Sequence, residues 1–147
     1  MTWLLLLFAL LVGVALPFQA GVNAQLKLWL GHPVIAALAS FTIGTLFLLA
    51  YTLALGLPAP AWSTLPQVPW WQWLGGVLGA FYIAATVVLA PRLGAAALIA
   101  ALVAGQMVAS LLLDHFGLVG YKVHPMNLWR LLGVGLLIAG VLLIQRN

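Results

Sequence analysis

The chain contains no glutamate and no cysteine, and its one acidic residue is Asp114. Without cysteine there is no disulfide framework, no thiol catalysis and no cysteine metal site, and the redox compartment leaves no mark. Charge of either sign is scarce. Only 4% of the 147 residues are charged, whereas a soluble domain carries about 25%. Six charged side chains cannot cover an exterior that faces water, but they suffice for one that faces lipid.

What the chain has instead is apolar length. Hydrophobic residues make up 66% and the mean hydropathy is +1.23. A membrane-spanning helix needs roughly 20 predominantly apolar residues. Five segments reach that length, at about 3–23, 33–55, 70–90, 94–113 and 128–144. The expectation is an all-α integral membrane protein, a single transmembrane domain of five helices. The first segment lacks the positive leader of a signal peptide, since the first charge is Lys27, so it reads as a retained helix.

The punctuation fits these limits. Gly31-His32-Pro33 opens helix two, with proline suited to a first turn. Pro58, Pro60, Pro66 and Pro69 mark the longest loop, and Pro91 to Gly94 leaves room only for a tight connection. Tryptophan falls at the predicted ends, at positions 3, 29, 62, 70, 71, 73 and 129, where an indole sits half wet at headgroup level.

The five cations, Lys27, Arg92, Lys122, Arg130 and Arg146, are scattered singly. They form no basic patch for nucleic acid and read as topology determinants. With five spans the termini lie on opposite sides, which puts Lys27, Arg92 and Arg146 against Lys122 and Arg130. Three against two barely orients the chain; the excess favours an outside N-terminus and leaves room for insertion both ways.

Polar residues inside the apolar runs are costly unless partnered. Gln19 and Asn23 share a face of helix one, Tyr82 and Thr86 one of helix three, and Gln106 and Ser110 one of helix four; helix two offers Ser40, Thr42 and Thr45. Serine and threonine hydroxyls can bond back to their own helix. An amide has more valences than a helix backbone satisfies, so Gln19, Asn23 and Gln106 point either to interhelical bonds or to a solute site. Tyr82 and Ser110 complete that candidate set. Glycine faces at 75, 76, 79, 105, 133, 135 and 140 allow close helix packing.

Asp114 stands at the C-terminal end of helix four and Arg130 in the first turn of helix five, each against the helix dipole. Two unfavourable placements on one side of the membrane suggest a structural ion pair, ahead of a proton-coupling role for Asp114. His115 and His124 share that loop, but their spacing is a weak metal signal. No nucleophile motif or phosphate-cradling loop is present, so neither an enzyme nor a cofactor is expected.

A series of motifs runs the length of the chain. It begins with Gln19-x-x-x-Asn23-x-x-Leu26, Gly31-x-Pro33, Ser40-Phe41-x-x-Gly44 and Trp70-Trp71-x-Trp73-x-Gly75-Gly76-x-x-Gly79. It continues with Pro91-Arg92-Leu93-Gly94, Gly105-Gln106, Asp114-His115-Phe116-Gly117, Arg130-x-x-Gly133 and Gly140-Val141. In this order they resemble the YdcZ-type inner-membrane family of the drug/metabolite transporter superfamily. The resemblance implies a bacterial inner-membrane protein of five helices, half the size of the superfamily's ten-helix members. It also implies that two copies pair, in some relatives as antiparallel partners, and it supplies no substrate. The leading expectation is an exporter of a small organic solute that works as a dimer and completes an inverted repeat. The small multidrug resistance transporters, another branch, exchange protons through a glutamate in helix one that this chain lacks. Two other functions stay open: a non-transporting membrane subunit that scaffolds or regulates a partner complex, and a lipid-handling protein.

Overall fold

The computed structural model describes residues 2–146. Five α-helices carry the fold: α1 (Thr2–Leu30), α2 (Pro33–Ala54), α3 (Leu74–Leu93), α4 (Ala95–Phe116) and α5 (Leu128–Arg146). No strand occurs among the described residues. All five helices are long and apolar enough to cross a bilayer.

Helix limits differ from the sequence expectation where local chemistry allows a helix to continue. α1 runs on to Leu30 because nothing from Asn23 to Leu30 breaks a helix. Gly31 stops it with φ +78°, and the Gly31 N–H donates to the Lys27 carbonyl. His32 then caps α2, its Nδ1 accepting from the Val34 N–H at 3.2 Å, with Pro33 in the first turn. The Trp70–Trp73 stretch is a 3₁₀ turn that leads into α3. α3 carries Pro91 in its last turn and runs to Leu93, so Gly94, at φ +75°, is the whole connection to α4. α4 continues past Asp114 to Phe116 and ends on Gly117 in the left-handed region, whose N–H donates to the Leu113 carbonyl.

The chain packs as two compact units, and the division falls inside α1 at Pro17. One unit comprises Phe18–Pro91, which is the second half of α1 with α2 and most of α3. Its core is Ala36, Ala37, Ile83 and Val87, with Leu26, Tyr82 and Ala84 packed against it. Small side chains on α2 let the backbones approach, which is how helices associate when lipid is as apolar as the core. Gly79 serves the same end: a Cβ there would lie 3.4 Å from the Phe41 ring.

The other unit joins α1 up to Pro17 with residues from Arg92 onward, and α4 packs along α5 within it. Leu98 is fully buried here. Large apolar side chains elsewhere are mostly uncovered by protein, as spanning helices require, and all seven tryptophans are exposed.

Candidate functional site

Polar side chains of the Phe18–Pro91 unit fall into two groups. Thr42, Thr52 and Thr86 donate back to their own helices, to the carbonyls of Leu38, Leu48 and Ile83 at 2.9, 2.7 and 2.8 Å. These hydroxyls are satisfied locally and ask for nothing else. Gln19, Ser40 and Thr45 make no side-chain hydrogen bond among the described residues. All three line one cavity of about 180 Å³ together with Phe41 and Gly44. An amide and two hydroxyls there offer both donors and acceptors on an apolar wall.

Asn23, one turn beyond Gln19, is buried at 4% exposure, and its Nδ2 has no partner among the described residues. Leaving a buried donor unmade costs about 1–3 kcal/mol, and the chain tolerates it within the C-terminal half of α1. Tyr82 packs against the apolar core of this unit, and its neighbour Thr86 is consumed by its bond to Ile83.

The remaining two candidates belong to the other unit. Gln106 lines a largely apolar cavity of about 860 Å³ with Trp3, Leu10, Gly13 and Met107. Ser110, a turn further along α4, opens instead on a groove between α4 and α5 of about 340 Å³, which Asp114 and Arg130 also line. Sequence spacing put Gln106 and Ser110 on one face; the structure gives each its own cavity, with Met107 common to both.

The loop between α4 and α5 is tied down by polar contacts. Arg130 Nη2 lies 3.1 Å from Asp114 Oδ2, and its Nη1 donates to the His124 carbonyl at 3.1 Å. The His124 N–H donates to the Asp114 carbonyl at 2.8 Å. His115 Nδ1 accepts from the Met126 N–H, and Asn127 Oδ1 accepts from the Arg130 N–H at the start of α5. His115 thus acts as a loop fastener, a role with no sequence signal beyond its place beside Asp114. The loop also holds three left-handed residues in four, Gly117, Val119 and Gly120; for β-branched Val119, φ +56° is strained.

The described residues thus combine five helices of spanning length with unpartnered polar side chains on α1, α2 and α4. Residues 4–143 match the family described as "Putative inner membrane exporter, YdcZ". The chain belongs to the YdcZ family. As a YdcZ-family protein it is a multi-pass protein of the inner membrane, and the family description implies a transporter rather than an enzyme. The "Inner membrane protein YdcZ" of Escherichia coli (strain K12) is 35% identical over 81 residues, which cover 55% of this chain and 54% of that protein. The chain thus spans about half the length of the curated relative it matches. No solved structure matches it.

Proposed function

We propose that this YdcZ-family protein exports a small organic solute by alternating access as an antiparallel homodimer, with Gln19, Asn23, Tyr82, Gln106 and Ser110 as its solute contacts. The observation that carries the reading is the Asn23 amide, buried in a spanning helix with its nitrogen unpartnered. Hydroxyls that serve structure alone bond to their own helices, as Thr42, Thr52 and Thr86 do. An amide left open inside the membrane is a cost that a bound solute can offset. Gln19, Ser40 and Thr45 around one cavity extend the same chemistry and favour a solute with neutral donors and acceptors.

The dimer rests on two supports. Five helices make half of an inverted-repeat transporter, in which two oppositely oriented halves rock about a site at the midplane. The cations divide three against two, which permits both orientations of one chain.

The test is a thermal-shift screen of the purified protein against a metabolite and cation library, followed by efflux from proteoliposomes. A solute that stabilises the wild type and loses its effect with Asn23→Leu or Gln19→Leu supports the reading. Absence of any such solute, with strict co-purification of a second protein, would establish the non-transporting subunit instead.

A further inference from the structure

We infer that the groove at the shared end of α4 and α5 holds the head of a primary-ammonium zwitterion with an apolar tail, its ammonium on Asp114 and its anionic group on Arg130. The inference shares Ser110 with the transport reading but not Asn23 or Gln19, on which the test of that reading rests, so the two can fail separately.

Polarity comes first. Asp114 lies in the last turn of α4, at the negative end of the helix dipole, and Arg130 lies in the first turn of α5, at the positive end. Side chain and backbone therefore carry the same sign at each pole. Exchanging the two residues would set each charge in its favourable place, so the helix dipoles do not explain this polarity, whereas a ligand that uses both poles would. Carboxylate and helix end together draw a cation, while guanidinium and helix end together draw an anion.

Open valences come second. The ion pair closes between Arg130 Nη2 and Asp114 Oδ2 at 3.1 Å, and neither partner is fully covered. The Ser110 hydroxyl has no partner among the described residues. A primary ammonium has three N–H bonds to offer the Asp114 carboxylate and the Ser110 oxygen, and a quaternary ammonium has none.

Shape comes third. The cavity of about 340 Å³ runs inward from the two charges, past Ser110 and Gly133, to Met107 and Leu137. Seven residues of helix span about 10 Å, so a charged mouth at the membrane boundary leads to an apolar floor one and a half to two turns deeper. That sequence of surfaces fits an amphiphile. Two sources offer this chemistry: the headgroup of phosphatidylethanolamine, or a free amino acid with an aliphatic side chain.

The full chain is reconstituted in nanodiscs of equal dioleoyl-phosphatidylethanolamine and dioleoyl-phosphatidylcholine, and the lipid that stays bound on extraction is counted by mass spectrometry. In parallel, L-leucine is titrated onto the protein in phosphatidylcholine nanodiscs, with thermal midpoint and equilibrium dialysis as readouts. We expect about tenfold enrichment of the ethanolamine lipid, or saturable leucine binding, lost with Asp114→Asn. Ser110→Ala, whose hydroxyl supports no contact in the fold, should weaken discrimination by about threefold at an unchanged midpoint. The exchanged pair Asp114→Arg with Arg130→Asp keeps the two charges together, reverses both poles and gives up the bond to the His124 carbonyl, so it should lower the thermal midpoint and abolish discrimination. Lipid enrichment identifies the headgroup as ligand, and leucine binding identifies a free zwitterion. The inference is overturned if the wild type discriminates with neither probe, or if discrimination survives both Asp114→Asn and the exchange; the pair is then structural only.

Discussion

Removing Arg130 should destabilise the protein more than removing Asp114, although the two form one ion pair. Asp114 is 26% exposed and Arg130 34%, so their contact lies between a surface pair, at about 0–1 kcal/mol, and a broken buried pair, at about 3–5 kcal/mol. About 1–2 kcal/mol is a reasonable coupling after allowance for screening at that exposure. Each charge also opposes a helix dipole, and its removal returns about 0.3–1 kcal/mol. Asp114→Ala should therefore cost about 1 kcal/mol net. Arg130→Ala further loses the bond from Nη1 to the His124 carbonyl, a charged hydrogen bond of about 1.5–3 kcal/mol, which gives a total of about 2–4 kcal/mol. The double variant should fall short of the sum of the singles by about 1 kcal/mol. Equilibrium unfolding in mixed dodecyl sulfate micelles, followed by circular dichroism, measures all four corners of the cycle. Additivity within about 0.5 kcal/mol would refute the coupling, and a larger loss for Asp114→Ala than for Arg130→Ala would refute the ledger itself.

Three more outcomes follow from named contacts. Gly117→Ala should destabilise by about 1–2 kcal/mol from its left-handed backbone alone, at φ +62°. The new Cβ would also meet Val123 Cγ2 at 2.7 Å, so Val123→Ala should relieve only part of the loss; full rescue would show that backbone strain is negligible. Asn23→Leu removes an unpartnered buried donor and should raise the thermal midpoint, by a gain of about 1–2 kcal/mol, while abolishing solute response; a destabilised variant that still transports would contradict the role of this amide. Two or three lysines added to the Pro58–Pro69 loop should force one orientation and cut activity, and co-expression with a chain biased the other way by lysines in 25–32 should restore it. Full activity from a chain locked in one orientation would rule out the antiparallel dimer.

The helices were the most legible feature because lipid imposes a length and a composition that few other environments share. Their ends were less so. Asn23–Leu30 contains Lys27 and Gln25 and resembles a loop by polarity, yet nothing in it breaks a helix, so α1 continues until Gly31 adopts φ +78°. Pro91 looks like a stop, yet α3 runs through it to Leu93, and Gly94 makes the break. At the level of side chains, spacing identified which residues share a helix face but not which face a cavity meets. Gln106 and Ser110 are four residues apart and yet line different cavities.

Polarity within a spanning helix therefore has two meanings, and only the bonding pattern separates them. Threonine at 42, 52 and 86 donates to the carbonyl three or four residues back, so each hydroxyl is consumed where it stands. Thr45, with the same side chain on the same helix as Thr42, makes no such bond and lines a cavity with Gln19 and Ser40. Ser110 differs in the same way and opens beside the Asp114–Arg130 pair. In water, an unpartnered hydroxyl would carry no information, because solvent would satisfy it. In hydrocarbon each one is a standing cost, so a cluster of them around one cavity marks a place where water, a ligand or a partner can offset that cost. Residue type alone cannot make that distinction, since threonine appears on both sides of it. Bonding state can, and it directs mutagenesis to Gln19, Asn23, Ser40, Thr45 and Ser110 ahead of the threonines whose hydroxyls are already used.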